Sequence, residues 1–385
     1  MRALRVLLIV LLLALGVAPA TAAAPAAGAT TRTSVDVVAS GLDSPRHLAF
    51  GSRGDLFVAE SGRGGSGPCF IGGEGPACMG ASGAVTKVDR RGRQSRIAEG
   101  LASYANTPGD ANAIGPHGIT VLGADRVLVT NGGPTEPKDE SGATISRDTL
   151  AAQNPAADLF GRLLRIKHHG RIRNVADLWA FERDVNPDAA VGNPAIDSNP
   201  VDVLFDRGRF VVADAGGNAV DVVSRRGRVR NLAVFPNRPV PNPFGGPDVP
   251  MQAVPTSVVE GPDGQYYVSQ LTGFPFPPGG ANVFRVNPRT GAVSVFASGF
   301  TNIMDLAFGR HGTLYVLEID HDGLLGGSTD GGLFAVSRDG QQRQIALAPG
   351  TLTMPGGIAV GKDGLYVTNN SGSPGGGQVL RIRAR

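Results

Sequence analysis

Six times along the chain a short apolar strand, a Gly/Asp turn and a second apolar strand follow one another, and each copy closes on a small or polar residue. The copies occupy residues 45–60 (PRHLAFGSRGDLFVAE), 116–131 (PHGITVLGADRVLVTN), 200–214 (PVDVLFDRGRFVVAD), 255–270 (PTSVVEGPDGQYYVSQ), 303–318 (IMDLAFGRHGTLYVLE) and 355–369 (PGGIAVGKDGLYVTN). Runs such as HLAF, ITVL, DVLF and LYVL are nearly continuous in apolar residues, so both faces of these strands expect cover. Two more strands follow each of the first five copies, as in AVTKVD–RRGR–QSRIAEGL after the first and NVFRV–NPRTG–AVSVFASGF after the fourth. Four strands per repeated unit predict an all-β chain, a six-bladed β-propeller whose blades are each too thin to bury their own faces. Blade six has only QVLRIRAR after its copy, and residues 34–40 (SVDVVAS) carry the pattern of the missing outer strand. The N-terminal strand is therefore expected to pair with residues 378–383 and close the ring, which removes exposed sheet edges.

Loop lengths divide the disc into two unlike faces. Turns between first and second strands (GSRGD, GPDGQ, GRHGT, GKDG) and between third and fourth strands (RRGR, PRTG) are short. Long connections follow second strands (61–82, 132–159, 271–281, 319–331) or precede first strands (103–115, 182–199, 236–254). Both long sets emerge on one face of an up-and-down blade. Functional residues concentrate in loops carried on a rigid scaffold, so this face and the channel mouth it surrounds are where a site is expected.

Residues 1–24 read as a secretory signal, with Arg2 and Arg5 before the apolar run 6–17 and small residues at APATAA. That run is short of the ~20 residues a membrane-spanning helix needs. A retained anchor is the competing reading. Residues 25–32 form a short lead-in, and 33–385 a single propeller domain. Removing Arg2 and Arg5 from the 36 basic residues leaves 34 against 33 acidic ones, a net charge of +1. That balance argues against a nucleic-acid partner, which requires a basic field. Cys69 and Cys78, the two cysteines of the chain, fit a disulfide in a secreted protein, with a shared metal as the rival.

Aligned by repeat, Glu60, Asn131, Asp214, Gln270, Glu318 and Asn369 stand at second-strand ends, and Arg46, His47, His117, Asp202, Thr256 and Asp305 at first-strand starts. Carboxylates and amides around a channel suit a hard cation such as Ca²⁺, which takes six to eight oxygens. Glu60, Asn131, Asp214, Glu318 and Asn369 are the candidate metal ligands, and bonding to loop backbone is their structural alternative. His117 is the best general-base candidate, with Arg46 and Asp202 as companions; a hydrogen-bonded structural histidine is the bland reading. Phe274 and Phe276, in FPFPP, are candidate ligand contacts at the rim. His168, His169 and His311 fall in turns on the opposite face. No GxSxG, HExxH or phosphate loop is present.

The stretches GPDGQYYVSQLTGFPFPPGGANVFRV, PVDVLFDRGRFVVADAGGNAVDVV, NIMDLAFGRHGTLYVLEI and MPGGIAVGKDGLYVTNN resemble the ScyD/ScyE-type propeller family, named for proteins associated with biosynthesis of the pigment scytonemin. The resemblance spans essentially the whole chain after the signal, and SQLTGFPFP is its most specific part. It implies an exported six-bladed propeller, NHL-like or streptogramin-lyase-like, and brings no catalytic residues with it. The expected function is binding of a small molecule or a secreted protein partner at the loop-bearing mouth. The alternative is a metal-assisted lyase or lactonase that uses the mouth carboxylates and His117.

Overall fold

A computed structural model describes residues 33–73, 75–106 and 113–384. The signal and lead-in assigned to 1–32 lie outside the described residues. Six antiparallel sheets form the blades of a β-propeller, five of them four-stranded and that of blade one extended to five strands by Cys69–Gly72. Blade three shows the pattern: Pro200–Asp206, Arg209–Asp214, Ala219–Val223 and Val229–Val234 pair in that order. Blade six is completed by Thr33–Asp43, which pairs antiparallel with Pro374–Ala384. The register sets Ser34 opposite Arg383 and Ser40 opposite Gln378, the pairing expected from the repeat.

The core is divided among the blade interfaces, as thin repeated sheets require. Phe57, Ala59 and Val85 of blade one meet Ile119, Val127 and Leu164 of blade two. Leu128 and Leu163 meet Val203 and Val212 across the next interface. The closing interface joins Ala39 and Leu42 to Leu48, Val58 and Val379. Thr368 of blade six donates to the Arg46 carbonyl of blade one at 2.8 Å, which fastens the two ends of the repeat array.

Two departures from the repeat pattern bear on the loop face. In sequence, GRIRNVADLWAF reads as blade two's outer strand, but LWAF belongs to the helix Leu178–Val185, started by Asp177, whose carboxylate accepts Ala180 N–H at 2.9 Å. Cys69 and Cys78 form a disulfide across an added hairpin. That hairpin packs Phe70 and Met79 against Tyr104, Leu150 of the 132–159 connection and Phe160 just after it. Both classes of long loop meet around one cavity of about 160 Å³, whose lining includes Gly73, Ile114, Thr135, Asn199, Gly216 and Val254.

Candidate functional site

Second-strand ends turn out to be backbone latches. Glu60 accepts Asp43 N–H, Asp214 accepts Asn199 N–H, Glu318 accepts Thr301 N–H and Asn369 accepts Thr353 N–H, each at 2.7 Å. In every case the donor lies in the segment about to enter the same blade's first strand. The entering chain needs an acceptor there because its N–H has left the sheet ladder. Asn131 uses its amide instead, donating to Ala102 and Gly132 carbonyls at 3.3 and 3.1 Å. Glu60 is further committed to Thr86 and to the guanidinium of Arg96, 2.9 Å away, and Glu318 to His321 at 2.5 Å. Four of the five candidate ligands are therefore latches, in blades one, three, five and six, and among the described residues Glu60, Asp214 and Glu318 do not bring their carboxylate oxygens into one group.

What converges is the third residue of each repeat phrase: His47, Gly118, Asp202, Ser257, Asp305 and Gly357. First strands line the channel, and their loop-side ends approach one another there. A Cβ on Gly118 would lie 2.3 Å from the Asp202 Cα, and one on Gly357 2.7 Å from the His47 Cα, so these positions admit only glycine. His47 reaches across to Asp202, Nδ1 to Oδ1 3.1 Å. Ser257 bridges both acids, at 3.1 Å from Asp202 and 2.7 Å from Asp305. Asp202 also accepts Val258 N–H from blade four at 2.8 Å, and Asp305 accepts Ile358 N–H from blade six at 2.7 Å. One polar hub thus ties blades one, three, four, five and six. Among the described residues, His47, Asp202 and Asp305 are the three whose ligating atoms all lie within 4.8 Å of one another.

The electrostatics split the two channel histidines. Burial pulls His47 down, but the carboxylates of Asp305 and Asp202, the bond to Asp202 and the Met304 backbone push it up to about 9. His47 is an imidazolium at neutral pH, and the hub carries its own cation. Burial, then the charges of Arg46 and His47, holds His117 well below the usual imidazole range, so its ring is neutral. The two rings meet edge to face, with centroids 5.4 Å apart. His117 is 7% exposed, and neither of its ring nitrogens has a hydrogen-bond partner among the described residues. Arg46 beside it donates to the Ala113 carbonyl at 2.8 Å and to Ser61 at 3.3 Å.

His117, Arg46 and Asp202 are thus brought to one hub, as the repeat alignment places them. Phe274 and Phe276 lie in the blade-four loop, where Phe274 stacks on Phe244 at 6.1 Å and meets Phe276 edge-on at 6.5 Å. His169 and His311 sit in the short turns of blades two and five. Ser257 was not anticipated, although counting three residues from the start of each phrase would have found it. Also unanticipated is an acidic group beside Asp214. Burial, with the charges of Asp214, Asp188, Asp221 and Asp197, pushes the Glu182 carboxyl up to about 9. Burial and Asp214 push Asp221 to about 8.

No protein-family profile matches the sequence, and no curated protein matches it. Among solved structures the chain is similar to XC5397 from Xanthomonas campestris, described as a gluconolactonase, at 14% identity over 91% of this chain and 89% of that one, with a TM-score of 0.53. A protein of unknown function from Bacteroides thetaiotaomicron aligns at 10% identity over 91% and 76% of the two chains, also at 0.53. A streptogramin B lyase aligns at 11% identity over 93% of this chain and 100% of its own, at 0.50. At these identities the likeness is one of fold.

Proposed function

We propose that this chain is an exported binding protein that takes a small, oxygen-rich ligand at the loop-bearing mouth of its channel, with His117 as the contacting side chain. The observation that carries this is the buried, neutral His117 ring with both nitrogens unpartnered. A neutral imidazole has one N–H to give and one lone pair to fill, and burying them unmet is costly. Arg46 and protonated His47 at its side favour a ligand rich in carbonyl, hydroxyl or carboxylate oxygen. Export is supported by the signal-like N-terminus and by the Cys69–Cys78 disulfide, which suits an oxidising compartment. No helix among the described residues is long and apolar enough to cross a membrane. Membership of the ScyD/ScyE-type family is part of the same proposal, supported by the phrases that build this mouth.

A second reading follows from the His47–Asp202–Asp305 group. These residues would hold a divalent cation, which supplies Lewis-acid polarisation of a carbonyl, and His117 would take or return a proton beside it. The fit has a condition: the carboxylate oxygens already accept backbone N–H and Ser257, and the imidazolium already fills the role of cation. A metal must therefore displace the His47 proton, and its affinity should rise with pH.

A thermal-shift screen of sugar acids, lactones and other oxygen-rich small molecules tests the first reading. At a hundredfold excess over Kd a ligand stabilises by about 2.7 kcal/mol. The shift should vanish in His117→Ala and persist in Glu60→Gln. A response unchanged by His117→Ala would place the ligand elsewhere. Turnover of a lactone only with added divalent metal, lost in His47→Gln, would favour the second reading.

A further inference from the structure

We propose that blade three carries a second, independent cation site, for a hard divalent ion of the calcium type, held by Glu182 and Asp188 between the helix Leu178–Val185 and the Gly216–Gly217 turn. Glu182 and Asp188 are 3% and 1% exposed, yet Glu182 Oε1 and Asp188 Oδ1 are buried with no hydrogen-bond partner among the described residues. Asp197 Oδ1 is a third such oxygen. A buried carboxylate oxygen without a donor is costly, and an ordinary latch such as Glu60 leaves none at either of its oxygens.

The surroundings converge on the same place. A Cβ on Gly217 would lie 3.2 Å from Glu182 Oε2, 3.6 Å from the Asp214 carboxyl carbon and 3.7 Å from the Asp197 carbonyl oxygen. A Cβ on Gly216 would lie 2.5 Å from Asp197 Oδ1. Two successive glycines thus keep clear a space walled by oxygens from helix, loop and turn. Asn218, at φ 45°, turns its amide onto Asp188 Oδ2 at 2.9 Å and fixes that carboxylate. Asp214 is oriented by Ser198 at 2.7 Å.

Charge separates this group from the channel hub. The hub's two acids have His47 between them. Among the described residues, no lysine, arginine or histidine forms an ion pair with Glu182, Asp188, Asp197, Asp214 or Asp221. Among the described residues no three of the blade-three acids have ligating atoms all within 4.8 Å of one another, as the hub residues do, so binding requires them to close on the ion. Oxygen-only ligands and flexible spacing suit Ca²⁺ over Mg²⁺ or Zn²⁺.

The chain has one tryptophan, Trp179, one helical turn before Glu182 on the same helix. Terbium, which takes calcium sites and is sensitised by a nearby indole, is therefore the probe. Terbium added to the intact, chelator-washed protein should give tryptophan-sensitised emission that calcium displaces. Calcium alone should raise the melting temperature, with half-saturation on the order of 10⁻⁴ to 10⁻³ M. Glu182→Gln and Asp188→Asn should each abolish the emission or weaken binding by about tenfold or more, and His117→Gln should leave it unchanged. No sensitised emission and no calcium-dependent melting shift in the wild-type chain overturns the proposal, as does emission that survives both substitutions. Because the wild-type measurements decide it alone, a variant that fails to fold does not rescue it. Loss of the emission in His117→Gln would move the ion to the channel and also overturn this assignment.

Discussion

A variant lacking residues 33–43 is expected to lose the closed ring and with it much of its stability. The strand Thr33–Asp43 supplies one full edge of blade six. It also contributes Leu42, 1% exposed, and Ala39, 5% exposed, to the interface between blades six and one. Asp43 pairs with Arg63 at 2.6 Å and Arg96 at 2.7 Å, so the deletion leaves Arg96 with fewer partners beside Glu60. Removing one buried leucine side chain alone typically costs 2–5 kcal/mol. Adding the exposed edge along Pro374–Ala384 brings the expected loss to at least about 5 kcal/mol, or a fall in melting temperature of roughly 10 °C or more. The bared edge should also make the variant associate. Calorimetry and size-exclusion chromatography read both effects, and a monomer melting at the intact temperature would show that the ring does not depend on this strand.

Asp202→Ala is expected to be the most damaging single substitution in the channel. It deletes the counter-ion of buried His47, the acceptor of Val258 N–H and one of the two acids bridged by Ser257. Breaking one partner out of a buried pair typically costs 3–5 kcal/mol, because the remaining charge is left uncompensated. Asp202→Asn should cost less, since an amide oxygen still accepts from Val258. Combining it with His47→Gln should recover part of the loss, because the two residues act as a unit. Denaturant unfolding at constant m-value measures this. A cost below about 1 kcal/mol for Asp202→Ala would mean that the hub does not hold the blades together.

The blades were legible because they are local: strand, turn and strand recur within a single phrase, and ring closure follows from one missing strand. The site was only half legible. Asp202, Arg46 and His117 could be placed at the mouth because their positions within the phrase are fixed. The direction of Glu60 or Glu318 could not be read, because a carboxylate at a second-strand end looks the same whether it faces the channel or caps the entering chain. Asp43 N–H and Thr301 N–H, which decide the matter, come from segments with no motif of their own. The blade-three acids were hidden for another reason. LWAF reads as strand and 182–199 as a plain connection until Asp177 is recognised as a helix cap, and only the helix carries Glu182 back over Gly217.

The central claim is that the channel mouth holds a preset pair, a protonated His47 locked to two acids and a neutral His117 left open for ligand. Its consequences for stability run in opposite directions. The His47 contribution is fully present below the unfolded imidazole value of about 6.5 and is lost as pH rises through about 9. His117, with its value depressed, penalises the fold as pH falls below about 6.5, because the unfolded chain then takes up a proton that the buried ring refuses. Asp305 and Asp202 are the charged groups that set the His47 value, and Arg46 and His47 those that act on the facing His117. The most direct test is a ¹⁵N NMR titration of the imidazole rings, with His47 and His117 assigned through His47→Gln and His117→Gln. The account predicts that His47 stays protonated until about pH 9 while His117 stays neutral through mildly acidic pH. If both rings titrate together near the ordinary value of about 6.5, the preset pair does not exist and the site built on it falls.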